Sequence, residues 1–195
     1  MARMFQVRIH GRGGQGVVTA AEMLSVAAFA EGRHAQAFPS FGSERMGAPV
    51  AAFCRIDDKE IRVREPVLQP DALIIQDSSL LQQVDLFEGL PVRGYVLLNS
   101  THSIEELGLG GFVRGPRKYR LYMLPTTELA VKHVGRAVPN AALLGGFAAI
   151  TGVIALDSVV AAIREEFPSK IAEKNVAAAK EAFDVATQAL ETTDA

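Results

Sequence analysis

The sequence predicts an α/β fold: a three-layer, mostly parallel sheet with an inserted β-hairpin, helices on both faces, and C-terminal helices. Three observations carry this. Phe5, Val7 and Ile9 alternate with polar residues and lead through a glycine-rich turn into an apolar helical run. Ala72–Asp77 and Tyr95–Asn99 are apolar runs closed by short polar residues, as in parallel strands covered on both faces. From Ile171 to Leu190 apolar residues recur at helical spacing with charges opposite. The 195 residues read as one domain, 1–195, with a helical part, 157–195, packed on it.

The first strand ends in Gly11-Arg12-Gly13-Gly14-Gln15-Gly16, and Val17, Ala21, Leu24 and Ala28 then mark a helix. This order leaves free backbone N–H groups at a helix N-terminus, where the macrodipole favours negative charge. Gly11, Gly13, Gly14, Gln15 and Gly16 are therefore a candidate phosphate cradle. The competing reading is that the glycines serve only a tight turn and close helix–strand packing. Gly11, Gly13 and Gly16 match G-x-G-x-x-G, but a dinucleotide site also needs an acidic residue about 20 positions on. The second strand, His34–Phe38, runs instead into Pro39-Ser40.

Ser40 to Pro49 is a loop by its glycines and prolines, yet it carries Phe41, Ser43, Glu44, Arg45 and Met46. Phe and Met in such a loop point to a buried contact. In a parallel sheet this loop leaves the same edge as the glycine-rich turn, the edge where open α/β sheets place ligands. Val50–Ile56 and Glu60–Arg64 read as a hairpin turning at Asp57-Asp58-Lys59.

Between the two apolar strands, Ser78 or Ser79 caps a helix through Leu80, Leu81, Val84 and Phe87, and Gly89 stops it. Asp77 reads as a loop or cap residue. Gly108–Arg120 reads as a solvated basic loop, or as a patch for an acidic partner or a phosphate. Leu121–Leu124 is a further strand, and Thr126 or Thr127 caps Glu128–Val134. A helix rich in small residues begins at Asn140, Asp157 or Ser158 caps Val159–Phe167, and Ser169 starts the last helix.

Several function classes are excluded. A net charge of −2 with interspersed signs and no aromatic interleaving among the basic residues argues against nucleic acid. The single cysteine, Cys54, excludes a disulfide framework and an iron–sulfur cluster on this chain. It sits inside an apolar strand, as an inert thiol does. The four histidines show no metal-ligand spacing, and neither a G-x-S-x-G elbow nor a Walker lysine is present. With no signal segment and no apolar run long enough for a bilayer, the chain reads as cytoplasmic, without membrane contact.

Gly11-Arg12-Gly13-Gly14-Gln15-Gly16-Val17-Val18-Thr19-Ala20 and Ala37-Phe38-Pro39-Ser40-Phe41-Gly42-Ser43-Glu44-Arg45-Met46-Gly47-Ala48-Pro49 closely resemble the gamma subunit of the 2-oxoacid:ferredoxin oxidoreductases. Pro70-Asp71-Ala72, Ile75-Gln76-Asp77, Asn140–Gly146 and the stretch from Phe167-Pro168 to Lys174-Asn175 extend the resemblance over most of the chain. The second motif is closer to the pyruvate and branched-chain or aryl-oxoacid type than to the 2-oxoglutarate type.

The resemblance implies oxidative decarboxylation of a 2-oxoacid to acyl-CoA. Thiamine diphosphate, Mg and [4Fe–4S] clusters would be held by companion alpha, beta and delta subunits, and electrons would pass to ferredoxin. It implies a swivelling-type α/β domain beside the coenzyme A site, with no cofactor bound by this chain alone. Gly11–Gly16, Ser43, Glu44 and Arg45 would then contact CoA or a partner loop, Arg45 being the foremost phosphate or carboxylate contact. The alternatives are a stand-alone dinucleotide-binding reductase and a purely structural assembly subunit.

Overall fold

Alternating side chains give strand β1, Phe5–Arg12, two unlike faces: Val7 and Ile9 enter an apolar core, while Arg8 and His10 point to the other side. The computed structural model describes residues 3–40 and 46–193. Helix α1, Val17–Ala30, follows β1, and five more strands complete one sheet: β2, His34–Pro39; β3, Pro49–Asp57; β4, Ala72–Ile75; β5, Tyr95–Asn99; and β6, Arg120–Leu124. Their order is β2-β3-β1-β4-β5-β6. β1, β4, β5 and β6 pair in parallel, and β3 runs antiparallel to both β1 and β2.

The inserted hairpin is therefore real but differently composed. β2 and β3 form it, with Phe38 opposite Phe53, and Glu60–Arg64 is not a strand. Both edges of β3 are already taken, by β1 and β2, so no ladder remains for a second arm. The 60–64 segment alternates as a strand does, yet the stretch crosses the sheet to offer the Glu65 carbonyl to Arg55.

One face of the sheet carries α1 together with α4, Asn140–Thr151; α5, Leu156–Glu166; and α6, Ser169–Thr193. Val7, Ile9, Cys54, Ile56, Ile74, Leu97 and Leu124 meet these helices in one continuous core. Burial of Leu143, Leu144 and Phe147 on α4 contributes roughly 1.5–3 kcal/mol per side chain. Short α3, Thr126–Val134, leans on α4 and α6 through Leu129.

The opposite face is covered less regularly, by a 3-10 turn at Ser78–Gln82, the short α2, Gly110–Arg114, and irregular chain. The predicted helix through Phe87 shortens to that turn. Beyond it the chain is irregular and tied to the sheet by Arg8, whose Nη2 donates to the carbonyls of Leu86 at 2.9 Å and Glu88 at 2.7 Å. The basic stretch before β6 is also spent locally. Arg114 pairs with Glu105, Arg117 donates to the Tyr119 hydroxyl, and Arg120 lies over the Tyr95 ring.

The caps differ from expectation in an instructive way. α3 is capped across the sheet: the Thr127 N–H and the Thr126 hydroxyl both donate to Asn99 Oδ1, at 3.1 and 2.8 Å. α5 begins at Leu156, ahead of Asp157, and the N–H of its leading residue, Ala155, donates to Glu31 Oε1.

Candidate functional site

Because β3 runs backwards between β1 and β2, the carboxyl rim of the sheet collects both sequence motifs. Gly13 bridges Met46 in parallel, the Gly13 N–H donates to the Ala48 carbonyl at 2.9 Å, and the Gly47 N–H donates to the Gly13 carbonyl at 3.1 Å. Ser43, Glu44 and Arg45 lie outside the described residues, as do Phe41 and Gly42. The flanks on either side of them, Ser40 and Met46, stand at this rim.

The glycine loop is a built object. Gly14 and Gly16 take φ of +90° and +74°, which only glycine adopts freely. Space is short as well: a Cβ on Gly14 would lie 2.9 Å from Met46 Cε, and one on Gly16 2.8 Å from Asn140 Nδ2. At Gly16 the neighbour is the buried Asn140, whereas at Gly14 it is the tip of the exposed Met46 side chain, which can move aside. The phosphate reading keeps its basis too, since α1 has Gly16 at its N-cap, no side-chain cap and no acidic residue in its first turn. A cavity of about 530 Å³ opens there, lined among the described residues by Arg12, Gly13, Gly14, Val17, Thr19 and Ser40.

Arg12, absent from the sequence-derived site, ties the rim together. Its Nε reaches Asp77 Oδ2 at 3.2 Å, its Nη1 donates to the Gly47 carbonyl at 3.0 Å, and its Nη2 to Ser79 Oγ at 2.6 Å. Gln15 turns inward: its Oε1 accepts from the Arg12 N–H at 2.7 Å and its Nε2 donates to Asp77 Oδ2 at 2.9 Å. Gln15 thus positions the loop from within. Burial pushes the Asp77 carboxyl upward, but the Ser79 hydroxyl, the Gln15 amide, the Ser79 N–H and Arg12 together hold it below the ordinary carboxylate range. Asp77 also caps the 3-10 turn through the Ser79 N–H, as a cap residue should.

Met46 is 87% exposed, so no contact among the described residues buries it; its side chain lies over Gly14. Burial, with repulsion from Arg8, lowers His10 to about 4, and deeper in β3 burial pushes the Cys54 thiol up to about 12. Among the described residues no three His, Cys, Asp or Glu side chains converge to hold a metal. Nor is any helix long and apolar enough to cross a membrane. The strand beside β1 on the β2 side is the antiparallel β3, which enters at Pro49, so among the described residues no acidic strand end stands where a dinucleotide ribose would need one.

Fold and rim together define an α/β domain that offers a helix terminus without a side-chain cap and a braced glycine loop. The family model described as pyruvate ferredoxin/flavodoxin oxidoreductase matches residues 6–185, and the chain belongs to that family, among its gamma-type subunits. The "Pyruvate/ketoisovalerate oxidoreductases common subunit gamma" of Pyrococcus abyssi is 46% identical over 181 residues, 93% of this chain and 96% of that one. "Pyruvate synthase subunit PorC" of Methanothermobacter thermautotrophicus is 45% identical, covering 93% of this chain and 95% of its own. Among solved structures, the pyruvate oxidoreductase subunit PORC of Thermotoga maritima superposes with a TM-score of 0.78 at 32% identity, over 94% of this chain and 97% of that one.

Proposed function

We propose that the chain serves a multi-subunit, CoA-acylating 2-oxoacid oxidoreductase by forming one wall of an active centre that companion alpha, beta and delta subunits complete. The observation that carries this is the joining of two distant motifs, through Arg12, into one rim with an uncapped helix terminus. Relatives named for pyruvate and ketoisovalerate support a small 2-oxoacid as substrate. Thiamine diphosphate, Mg and [4Fe–4S] clusters belong to the companions, where they supply decarboxylation and electron transfer toward ferredoxin. One cysteine could not ligate a cluster here.

This chain's own part is binding and orientation in the cytoplasm. Backbone N–H groups of Gly14 and the first turn of α1 donate to a CoA phosphate or a partner loop, while Gly13 ties the loop to Ala48. Ser43, Glu44 and Arg45 contact the same group from the second motif, Arg45 as a bidentate donor. Asp77, Arg12 and Gln15 keep the loop in shape.

The test is calorimetric titration of the assembled complex with CoA, comparing the natural chain with Gly14→Val and Arg45→Ala. Intact assembly with CoA affinity weakened tenfold or more is the expected result, a loss of about 1.4 kcal/mol or more. Unchanged affinity in both variants would assign the loop to packing alone and make the chain an assembly subunit.

A further inference from the structure

Two stretches that carry the family resemblance stay outside the glycine rim, Asn140–Gly146 and the Phe167–Asn175 segment. They meet at a second cavity of about 340 Å³, between the loop after α3 and the first turns of α6. Val134, Val138, Phe167 and Ile171 give it apolar walls. Ile171, in the first turn of α6, is 46% exposed.

Arg136 stands on one side, and Lys170 and Lys174, four residues apart on α6, on the other. All three are exposed. None has an anionic partner within salt-bridge reach among the described residues, whereas neighbouring Lys132 and Arg164 are paired with Glu181 and Glu173. Three unpaired cations gathered on a chain of net charge −2 call for an anion from outside.

The carboxamides at the base decide what kind. Asn140 Oδ1 accepts from the Ala141 N–H at 2.9 Å, and its Nδ2 faces Gly16; Asn175 Nδ2 donates to the Ile171 carbonyl at 3.0 Å. One end of each carboxamide is occupied at home, and Val134, Val138, Phe167 and Ile171 rather than a convergent polar set dominate the interior. An apolar centre with a charged rim is the anatomy of a protein contact.

We propose that this groove docks an acidic segment of a companion subunit, one apolar side chain seated among Val134, Val138, Phe167 and Ile171 and its carboxylates on Arg136, Lys170 and Lys174. The inference rests on the subunit reading above. It places a partner directly behind Gly16, where Asn140 touches the glycine loop, so docking braces the rim from the side away from its own cavity.

The experiment uses the co-expressed complex, with the doubly reversed Lys170→Glu/Lys174→Glu chain and the neutral Lys170→Gln/Lys174→Gln chain. Dissociation of this chain from its companions is followed by sedimentation at 50 and 500 mM salt. Charge reversal should weaken association at least tenfold at low salt, neutralisation less, and both differences should shrink at high salt. All positions are exposed, and an unchanged thermal midpoint of the isolated variants confirms their fold. Equal assembly by the reversed chain would overturn the proposal alone. Failure of the natural chain to assemble would overturn it together with the subunit reading. An intact complex with weakened CoA binding would give the groove to a small ligand, and loss of self-association alone would give it to a second copy. Either result overturns the proposal.

Discussion

Asp77 accepts hydrogen bonds from the side chains of Arg12 and Gln15 and from both the amide and the hydroxyl of Ser79. A single carboxylate thereby fixes both the glycine loop and the turn that follows β4. Its carboxyl is held below the ordinary range, so the folded state binds that proton less readily than the unfolded chain does. The associated stability is present above the usual carboxylate range and is lost as pH falls through the lowered value. Asp77→Asn should cost about 1–3 kcal/mol in urea unfolding near neutral pH, as for hydrogen bonds to a charged group. That deficit should narrow in acid, where the natural chain loses the same charge. A deficit unchanged down to pH 3 would mean that the charge is irrelevant to holding the loop.

Among elements, the closest approach is that of α4 to α6. A Cβ on Gly145 would lie 2.0 Å from the carbonyl oxygen of Ala179, and backbone on a packed helix cannot step aside as a side chain can. Gly145→Ala would gain about 1 kcal/mol of helix propensity but should destabilise by a net 1–3 kcal/mol through overpacking. Gly111→Ala on α2 meets nothing within 4 Å and should leave the denaturation midpoint unchanged or raise it. If Gly145→Ala proves neutral, α4 and α6 are not in fixed contact.

Element by element, the sequence announces what local pattern controls. β4 and β5 stand out as apolar runs, α6 by its stripe, and α4 by a density of small residues that its contact with α6 explains. What it conceals depends on distant partners. Glu60–Arg64 has strand alternation, but pairing depends on a free neighbouring edge, and β3 has none. The helix expected through Phe87 is a 3-10 turn ending at Gln82, and carbonyls beyond it are tied by Arg8, some 80 residues earlier. At the rim, the glycines and the second motif are legible as neighbours because both leave the same edge. Arg12 and Asp77, 65 positions apart, carry no short-range signal and became visible only through their contact.

For the molecule as a whole, Cys54 is a built-in reporter. It is fully buried in β3 beneath the helices, and burial pushes its thiol to about 12. A thiol reagent at pH 8 should therefore react only through opening of the core, at a rate that rises with denaturant in step with global unfolding. Rapid labelling of the folded chain, independent of denaturant, would show that the β3 sector opens on its own.

The two coverings of the sheet differ in kind. On one side helices interlock over hydrocarbon; on the other, the irregular stretch after β3 is pinned by guanidinium groups, Arg55 holding the Glu65 carbonyl and stacking on Phe38. When that stretch lifts, it uncovers Arg55 and its glutamine partners together with Val67 and the Phe38 ring. A partly opened chain would thus show water a mixed surface, cationic at Arg55 and apolar at Phe38 and Val67.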